Sequence, residues 1–206
     1  MPRTCTADRQ DAATYADPPA FAAFEHRGSL RGFEVAFFRT SHDGYVVDGH
    51  TAAIEDGEPY AIGYTIELDR RWRTRWARVR GRSSSGTRET EIESDGDGRW
   101  IVDGEPAFTL DGCLDLDLES SALTNAFPMR RLLLRVGEDS EAPAAWIRAA
   151  DLRVERLDQH YERLEDARDG RVRFRYAAPR FDFRSQLQYD GSGLVVAYPG
   201  VAVRRA

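Results

Sequence analysis

Apolar and polar residues alternate along most of the chain, and short polar turns interrupt the alternation every eight to twelve residues. A period of two sends successive side chains to opposite faces of a sheet, so the pattern predicts antiparallel β-structure. Several interruptions contain an Asp-Gly pair, for example at 48–49, 103–104 and 190–191. Such a pair supplies the positive φ angles that tight hairpin turns require. The chain is therefore predicted to be a succession of β-hairpins.

The predicted strands cover much of the chain after residue 32. Their ranges are 33–39, 62–68, 72–80, 87–94, 100–102, 107–110, 114–118, 132–136, 144–147, 152–156, 172–176, 181–189 and 194–198. Residues 157–167 have two interpretations, because their apolar positions fit a helical stripe and a strand face equally well. The pattern favours one large, strongly bent antiparallel sheet.

The chain is predicted to contain a single domain. Its 206 residues exceed the commonest domain size, but β-barrels and sandwiches reach this length as one unit. Residues 1–20 show little periodicity and include Pro18-Pro19, so they are predicted to form a poorly ordered arm. Residues 21–206 contain no internal repeat and no linker rich in Pro or Gly, so they are predicted to fold as one domain.

Cysteine usage and hydropathy address the compartment. The two cysteines, Cys5 and Cys113, have no neighbours at the spacing of zinc ligands, so we expect free thiols in a reducing compartment. The first twenty residues lack the apolar run of a secretory signal, and no 18-residue apolar stretch could span a bilayer. These features predict a cytoplasmic protein without a membrane span.

An Arg-rich strand is followed directly by a Glu-rich strand. In the predicted strand 72–80, alternation places Trp72, Thr74 and Trp76 on one face and the arginines at 71, 73 and 75 on the other. The next strand carries glutamates at 89, 91 and 93 on one face. Cross-strand ion pairs are therefore expected in this hairpin.

Arginine and aromatic residues are mixed between positions 69 and 80, as they are in platforms that bind single-stranded nucleic acid. In such platforms the rings lie beside the positive charges, whereas alternation here separates the two onto opposite faces. The net charge of −6 also differs from the basic footprint of a nucleic-acid binder. Core-facing tryptophans and a solvated Arg face are the favoured interpretation, and no nucleic-acid partner is expected.

Acidic residues recur around the predicted strand 114–118. Asp111, Asp115, Asp117 and Glu119 would lie on one face, with neighbours about 6 to 7 Å apart. Clustered carboxylates are ligands for hard cations, but a single strand holds them too far apart to converge on one ion. A solvated or Arg-paired face is therefore favoured, and no metal site is predicted.

Motifs for nucleophilic catalysis and for phosphate binding are absent from the sequence. It contains no Gly-x-Ser-x-Gly elbow, no Walker A loop and no Gly-x-Gly-x-x-Gly between a strand and a helix. The four histidines are scattered without HxH or HExxH spacing. The sequence therefore assigns no catalytic residue and no cofactor, and it favours a protein that is not an enzyme.

Two adjacent segments resemble a known family. Residues 110–118 read LDGCLDLDL, and residues 123–132 read LTNAFPMRRL. An Asp-Gly-Cys turn, an alternating Asp/Leu strand, Thr-Asn, Pro and paired Arg occur in the order seen in the bacterial family called "putative glycolipid-binding proteins", formerly a domain of unknown function. Segments 56–60, 69–75, 159–161 and 193–200 are similar in the same order, so the resemblance covers about residues 24–204.

The resemblance implies a mostly β fold: a single curved antiparallel β-roll, or open-barrel-like sheet, wrapped around an apolar groove or a short helix. It also implies non-enzymatic binding of an amphipathic lipid or glycolipid in the concave face. On that hypothesis Trp72, Trp76 and Tyr161 would line the groove, and Arg130 and Arg131 would lie at its mouth. Aromatic residues can hold an apolar chain, and Arg can hydrogen-bond a polar head group.

Two other functions are compatible with the same sequence. The chain could act as an enzyme on a small hydrophobic substrate through the carboxylates of strand 111–119. It could instead be a protein–protein interaction module, in which exposed strand edges or the Arg face pair with a partner or with a second copy as a homodimer.

Overall fold

The computed structural model describes residues 15–206. In chain order the strands are β1 (Phe21–His26), β2 (Leu30–Thr40), β3 (Gly44–Glu55), β4 (Glu58–Asp69), β5 (Thr74–Ser83), β6 (Gly86–Ser94), β7 (Trp100–Val102), β8 (Glu105–Pro106), β9 (Asp115–Leu118), β10 (Asp139–Glu141), β11 (Ala144–Ile147), β12 (Val154–Leu157), β13 (His160–Leu164), β14 (Val172–Ala178), β15 (Phe183–Tyr189), β16 (Val195–Tyr198) and β17 (Ala202–Arg204). One α-helix, α1 (Ala126–Leu132), and three short 3₁₀ helices (Phe108–Leu110, Leu123–Asn125 and Pro179–Phe181) complete the secondary structure of this part of the chain.

Fourteen of the strands form one antiparallel sheet in the order β10-β13-β14-β15-β16-β17-β1-β2-β3-β4-β5-β6-β7-β8. Two meanders, β1 to β8 and β13 to β17, are joined because β1 pairs with β17. Strands β8 and β10 form the two edges and do not pair with each other, so the sheet remains open. This arrangement confirms the mostly β, open-barrel-like sheet predicted from the sequence.

The concave side of the sheet is filled by the chain itself. We call residues 108–132 and 144–157 the inner layer; it contains α1 and a small sheet in which β11 pairs parallel to β9 and antiparallel to β12. Leu116, Phe127 and Met129 of this layer are fully buried. They pack into the same core cluster as the inward side chains of the large sheet.

Asp-Gly pairs form tight turns at several of the predicted places. Between β3 and β4, Asp56 and Gly57 have φ of 49° and 85°, and between β7 and β8, Asp103 and Gly104 have φ of 51° and 84°. Positive φ at both central positions is the geometry of the type I′ turn, whose twist matches that of the adjoining strands.

The turn predicted at Asp48-Gly49 is wrong, because both residues lie inside β3. A Cβ at Gly49 would approach the Tyr64 ring to 2.2 Å, so glycine leaves the space that this cross-strand ring occupies. The glycine therefore serves packing within the sheet rather than chain reversal.

Two further predictions of secondary structure are corrected, and one ambiguous segment is resolved. Of the strand predicted at 132–136, Leu132 is the last residue of α1 and residues 133–136 follow the helix, where Leu133 has a left-handed φ of 50°. Residues 108–110 form a 3₁₀ helix rather than the strand predicted at 107–110. The ambiguous segment 157–167 contains strand β13, which pairs with β14.

Most of the predicted N-terminal arm, residues 1–14, lies outside the described residues. The described remainder lies against the domain. The N–H of Ala16 donates to the carbonyl of Gly191 over 2.9 Å, and the guanidinium of Arg130 donates to the carbonyl of Ala16 over 2.9 Å.

A buried carboxylate joins the sheet to the inner layer. Glu34 of β2 is fully buried and accepts hydrogen bonds from the Tyr64 hydroxyl (2.7 Å), from the backbone N–H of Ala122 (2.9 Å) and from the Ser121 hydroxyl. Burial raises the pKa of Glu34. The carboxylate supplies acceptors for donors that have lost access to water.

Replacing Glu34 with Ala should leave these buried donors without an acceptor. Each of the three unsatisfied donors costs about 1–3 kcal/mol, so we expect the free energy of unfolding to fall by at least about 3 kcal/mol. Urea denaturation measures it. Glu105→Ala, at an exposed site on β8, should change it by less than about 0.5 kcal/mol. Equal unfolding midpoints for the two variants would contradict this role for Glu34.

His26 should make the fold sensitive to acid. Its Nε2 lies 3.7 Å from Glu34, beyond hydrogen-bond distance, and burial lowers the His26 pKa to about 4. The unfolded chain takes up this proton near pH 6.5, whereas the folded chain stays neutral until about pH 4. Stability is therefore lost as the pH falls across that window, by roughly 3 kcal/mol in total.

His26→Leu should flatten this part of the stability profile. The measurement is urea denaturation at several pH values between 4 and 6.5, with the exposed-residue variant His42→Leu as control. A flatter profile for His26→Leu, but not for His42→Leu, would assign this part of the acid sensitivity to the buried site at position 26. Parallel profiles for these two proteins would show that His26 does not carry the effect.

Candidate ligand-binding cleft

Trp72 lies in the turn between β4 and β5 and faces the core. One carboxylate oxygen of Asp69 accepts the backbone N–H groups of Arg71 (2.8 Å) and Arg73 (3.0 Å), which closes the turn. Trp72 has a left-handed φ of 64°, an uncommon conformation for a bulky residue. Its ring is buried, so tertiary packing holds it in this conformation.

Arg130 stacks on the buried face of Trp72. Its guanidinium carbon lies 3.9 Å from the centre of the Trp72 ring, and the Tyr45 ring lies 4.6 Å from the same tryptophan. Arg130 also donates to the carbonyl oxygens of Ala16 and Ser192. Burial lowers the pKa of Arg130. The guanidinium thus binds groups of the protein itself.

Arg131 and Tyr161 are also engaged in the interior. Arg131 donates to both carboxylate oxygens of Asp115, over 3.1 and 2.6 Å, so this end of the acidic strand is Arg-paired rather than solvated. Tyr161 is fully buried, and its hydroxyl donates to the side-chain oxygen of Asn125 over 3.0 Å. Four of the five predicted ligand residues are therefore packed where the inner layer meets the sheet.

Of the predicted carboxylate face, Asp115 and Asp117 are buried, whereas Asp111 and Glu119 are exposed. Asp117 accepts hydrogen bonds from the Thr124 hydroxyl (2.7 Å) and the Gln159 amide (2.6 Å). Burial raises the pKa of both Asp115 and Asp117. An enzyme acting through these carboxylates would need access to them, whereas here their partners are core side chains.

Cys113 is a free thiol inside the core. Burial raises its pKa to about 11, so it stays protonated near neutral pH and is a weak nucleophile. Within residues 15–206, no group of three or more His, Cys, Asp or Glu side chains has the arrangement of a metal site.

Trp76 points away from the core, contrary to the prediction that it shares a face with Trp72 and Thr74. Glu67 pairs with Trp76, but the neighbouring Leu68 pairs with Thr74, so a β-bulge on β5 inserts one extra residue between them. Thr74 therefore faces the core, and Trp76 lies on the outer face. An inserted residue moves every later side chain to the opposite face.

Trp76 lies in a row of outward side chains that crosses five strands. Successive cross-strand partners in this row are Glu67, Trp76, Glu93, Ile101 and Pro106. The indole ring thus has a carboxylate on each neighbouring strand. Apolar side chains continue the row to the β8 edge.

These residues line a cleft of about 720 Å³, which we call the Trp76 cleft. Its apolar wall consists of Trp76, Ile101, Pro106 and Phe108, and the Phe108 side chain is 78% exposed. Charged side chains surround this wall: Arg75, Arg99, Glu67, Glu93, Asp95 and Asp111. The volume lies within the range of small-molecule sites.

Internal hydrogen bonds hold one side of the cleft in place. The carboxylate of Asp95 accepts the backbone N–H groups of Asp97 (2.7 Å) and Arg99 (3.0 Å), and Arg75 donates to the carbonyl of Asp95. The hydrogen bond from the backbone of Arg99, and next that from Asp97, stabilise the ionised carboxylate and so lower the pKa of Asp95. The guanidinium of Arg78 lies 5.3 Å from the Trp76 ring centre, beside the cleft.

Sequence reasoning found Trp76 but missed Ile101, Pro106 and Phe108. Trp100 and Ile101 are adjacent apolar residues, so alternation requires one of them to face outward. This pair therefore indicates an exposed apolar side chain on the strand. No local pattern places Phe108 beside Trp76, because a 3₁₀ helix after β8 brings it there.

Comparison with protein families identifies the chain. A family model described as "Putative glycolipid-binding" matches residues 26–204. The chain belongs to this family. This match confirms the family resemblance seen in the sequence.

Solved structures support the same relationship. A DUF1089 family protein from Pseudomonas aeruginosa is 29% identical to this member of the glycolipid-binding family, with a TM-score of 0.73 over 99% of this chain and 100% of that chain. A β-barrel-like protein of the domain of unknown function DUF1849 from Brucella abortus is 11% identical, with a TM-score of 0.53 over 93% of this chain and 96% of that chain, and shows a likeness of fold. No curated protein matches the chain. Within residues 15–206, no helix is long and apolar enough to cross a membrane.

The two tryptophans provide a matched test of core against cleft. Trp72→Ala should lower the free energy of unfolding by about 3–5 kcal/mol because it leaves a cavity under Arg130. Trp76→Ala should lower it by less than about 1 kcal/mol, since the outward ring is half-buried. Urea denaturation of both variants provides the measurement. A larger loss for Trp76→Ala than for Trp72→Ala would refute these placements.

Proposed function

We propose that this member of the glycolipid-binding family binds a glycolipid-type amphiphile in the Trp76 cleft, without transforming it chemically. The observation that carries the proposal is the accessible indole of Trp76 between the carboxylates of Glu67 and Glu93, continuous with an apolar wall. An amphiphile needs both kinds of surface in one place. The family description points to the same class of ligand.

A sugar ring suits the Trp76 end of the cleft. Its C–H face can stack on an aromatic ring, while its hydroxyl groups donate to carboxylates and accept from arginines. Glu67 and Glu93 flank the ring through cross-strand pairing, and Arg75 and Arg99 supply donors nearby. These are the partners that a polyhydroxylated head group requires.

The apolar part of the ligand suits the opposite end. Ile101 and Phe108 are large apolar side chains exposed at the cleft, and Pro106 lines it from the edge strand β8. Covering such surface with a hydrocarbon chain gains roughly 25 cal/mol for each Å² removed from water. The acyl or alkyl chain would therefore extend along this wall.

The charge of the cleft favours a neutral head group over an anionic one. Its lining contains four acidic side chains, Glu67, Glu93, Asp95 and Asp111, and two arginines, Arg75 and Arg99. A phosphate or sulfate group would meet this excess of carboxylates. An uncharged sugar can use both the donors and the acceptors.

The concave-face site predicted with Trp72, Tyr161, Arg130 and Arg131 would require the inner layer to move aside. In the structure these side chains contact other parts of the protein: Arg130 stacks on Trp72, Arg131 binds Asp115, and Tyr161 binds Asn125. The Trp76 cleft needs no such opening. Hydrogen exchange with a ligand present distinguishes the two, because cleft binding protects β5 to β7, whereas concave binding alters exchange in α1 and β13.

Dodecyl maltoside below its micelle concentration is a suitable probe, since it joins a neutral disaccharide to one alkyl chain. Calorimetric titration should detect binding to the wild type, and Trp76→Ala should weaken it by roughly tenfold or more, equivalent to about 1.4 kcal/mol. Phe181→Ala is the matched control, because Phe181 is also exposed but lies outside the cleft.

Dodecyl phosphocholine and dodecyl sulfate have the same alkyl chain with charged head groups. Weaker binding of both would support recognition of the sugar. Equal affinity of wild type and Trp76→Ala for dodecyl maltoside would overturn the proposed site. Equal affinity of the wild type for all three detergents would overturn the sugar-binding part of the proposal.

A further inference from the structure

A second exposed surface lies away from the Trp76 cleft, on the outer face of β1 to β3. We call it the outer patch and define it by the side chains that are between 37% and 59% exposed there: Phe21, Phe33, Val35, Phe37 and Ile54. Three phenylalanines exposed to water on one sheet face are unusual for a soluble monomer. Contiguous apolar surface of this kind marks an interaction site.

Strand pairing makes the outer patch continuous. Phe37 of β2 pairs directly with Phe21 of β1, and Phe33 pairs with Ala52 of β3. Ile54 lies beside the end of this row, opposite Arg31. Directly paired side chains on one face are about 5 Å apart, so Phe21 touches Phe37 and Phe33 touches Ala52 across the strands. On their other sides Phe33, Val35 and Phe37 pair with polar residues, namely Glu25, His50 and Asp48.

The size of the patch matches one side of a protein–protein interface. A large aromatic side chain offers about 150–250 Å², so three that are half exposed, together with Val35 and Ile54, present about 450 Å². A standard interface covers about 800 Å² on each partner, of which roughly 60% is apolar. The patch therefore supplies most of the apolar surface that one partner needs.

The outward side chains of β2 read the same in both directions. They are Arg31, Phe33, Val35, Phe37 and Arg39, with Val35 at the centre. A two-fold axis at the middle of an interface places each side chain opposite the residue of the second copy that lies equally far on the other side of the axis. With the axis across the strands at Val35, each Phe33 would meet Phe37 of the second copy.

The charges around the patch are compatible with self-association. Arg39 is paired with Asp48 over 2.9 Å, which neutralises one end of the β2 row. Within residues 15–206, Arg31 has no carboxylate within 4.0 Å. The same axis would place Arg31 opposite Arg39 of the second copy, and the Asp48 carboxylate that binds this Arg39 would offset the two positive charges.

We propose that the outer patch is the interface through which two copies of this chain form a two-fold symmetric dimer, with sheet packed against sheet. Strand β2 lies inside the fourteen-stranded sheet, so its backbone is already paired on both sides. Association therefore occurs through the faces rather than by adding a strand at an edge. This interface is independent of the ligand proposed for the Trp76 cleft.

An exposed apolar patch of this kind could instead bind a membrane surface. Binding to anionic lipids would rely on a surplus of positive charge around the phenylalanines. Here Asp48 pairs with Arg39, and Glu25 pairs with Arg27 and Arg205, so acids offset much of the nearby positive charge. The net charge of −6 also opposes an anionic surface.

Sedimentation velocity of the full chain over a range of concentrations tests the proposal. The wild type should reach the mass of a dimer, and the double variant Phe33→Asp, Phe37→Asp should remain a monomer, because a dimer would bury four new carboxylates, two from each copy, against apolar surface. Val136→Asp is the matched control, since Val136 is 55% exposed but lies outside the patch. It should dimerise like the wild type.

Chemical cross-linking locates the axis. In a Cys5→Ser background, Val35→Cys would place two thiols on opposite sides of the axis. Packed sheets lie about 10 Å apart, too far for a disulfide, so a short bismaleimide is the appropriate reagent. Val35→Cys should give a covalent dimer, and Val136→Cys should not. The native Cys113 is buried in the core.

Several results would overturn the proposal. A wild-type monomer at the highest soluble concentration would do so, and so would a dimer that survives the double Phe variant with its circular dichroism and thermal transition unchanged. If the double variant loses its circular dichroism signal and thermal transition, it is unfolded, and the single variant Phe33→Ser replaces it. Phe33→Ser must then remain folded and dissociate the dimer. A wild-type monomer that sediments with anionic phospholipid vesicles would assign the patch to a membrane surface instead.

Discussion

The contact between the curved sheet and the inner layer is the constraint on which the rest of the structure depends. The inner layer contains short elements whose backbone groups cannot all pair with one another. Side chains of the large sheet satisfy several of them: Glu34 accepts the N–H of Ala122, Thr74 accepts the N–H of Leu116, and Thr51 donates to a carbonyl. Buried backbone groups without such partners would oppose folding, so these bonds determine where the layer lies.

This contact also decides which surfaces can bind other molecules. The concave face is rich in aromatic side chains, but Phe127 and its neighbours on α1 already cover it. Accessible apolar groups are found instead in the Trp76 cleft near the β8 edge and on the outer face of β1 to β3. The two surfaces differ in form. The cleft is concave and lined with charges, which suits a small amphiphile, whereas the outer patch suits the face of another protein.

Parts of the structure that depend on neighbouring strands could be predicted well. The Arg-rich and Glu-rich strands do pair, and Arg78 contacts Glu91 over 2.6 Å. The type I′ turns occur at Asp-Gly pairs between consecutive strands, as at 56–57 and 103–104. Family membership followed from the order of motifs between 110 and 132. Each of these features rests on alternation, on turn geometry or on sequence similarity, all of which are visible without coordinates.

The sequence by itself determined the mostly β class, many of the hairpin turns, the charged β5–β6 hairpin and the family. Only the tertiary structure decided which aromatic side chains are accessible. A bulge at β5 sends Trp76 outward while the preceding turn keeps Trp72 inside, and Gly49 makes room for a ring instead of a turn. The reason is physical: alternation gives only the relative faces of neighbouring residues, whereas long-range packing selects the bulge and the face that is buried.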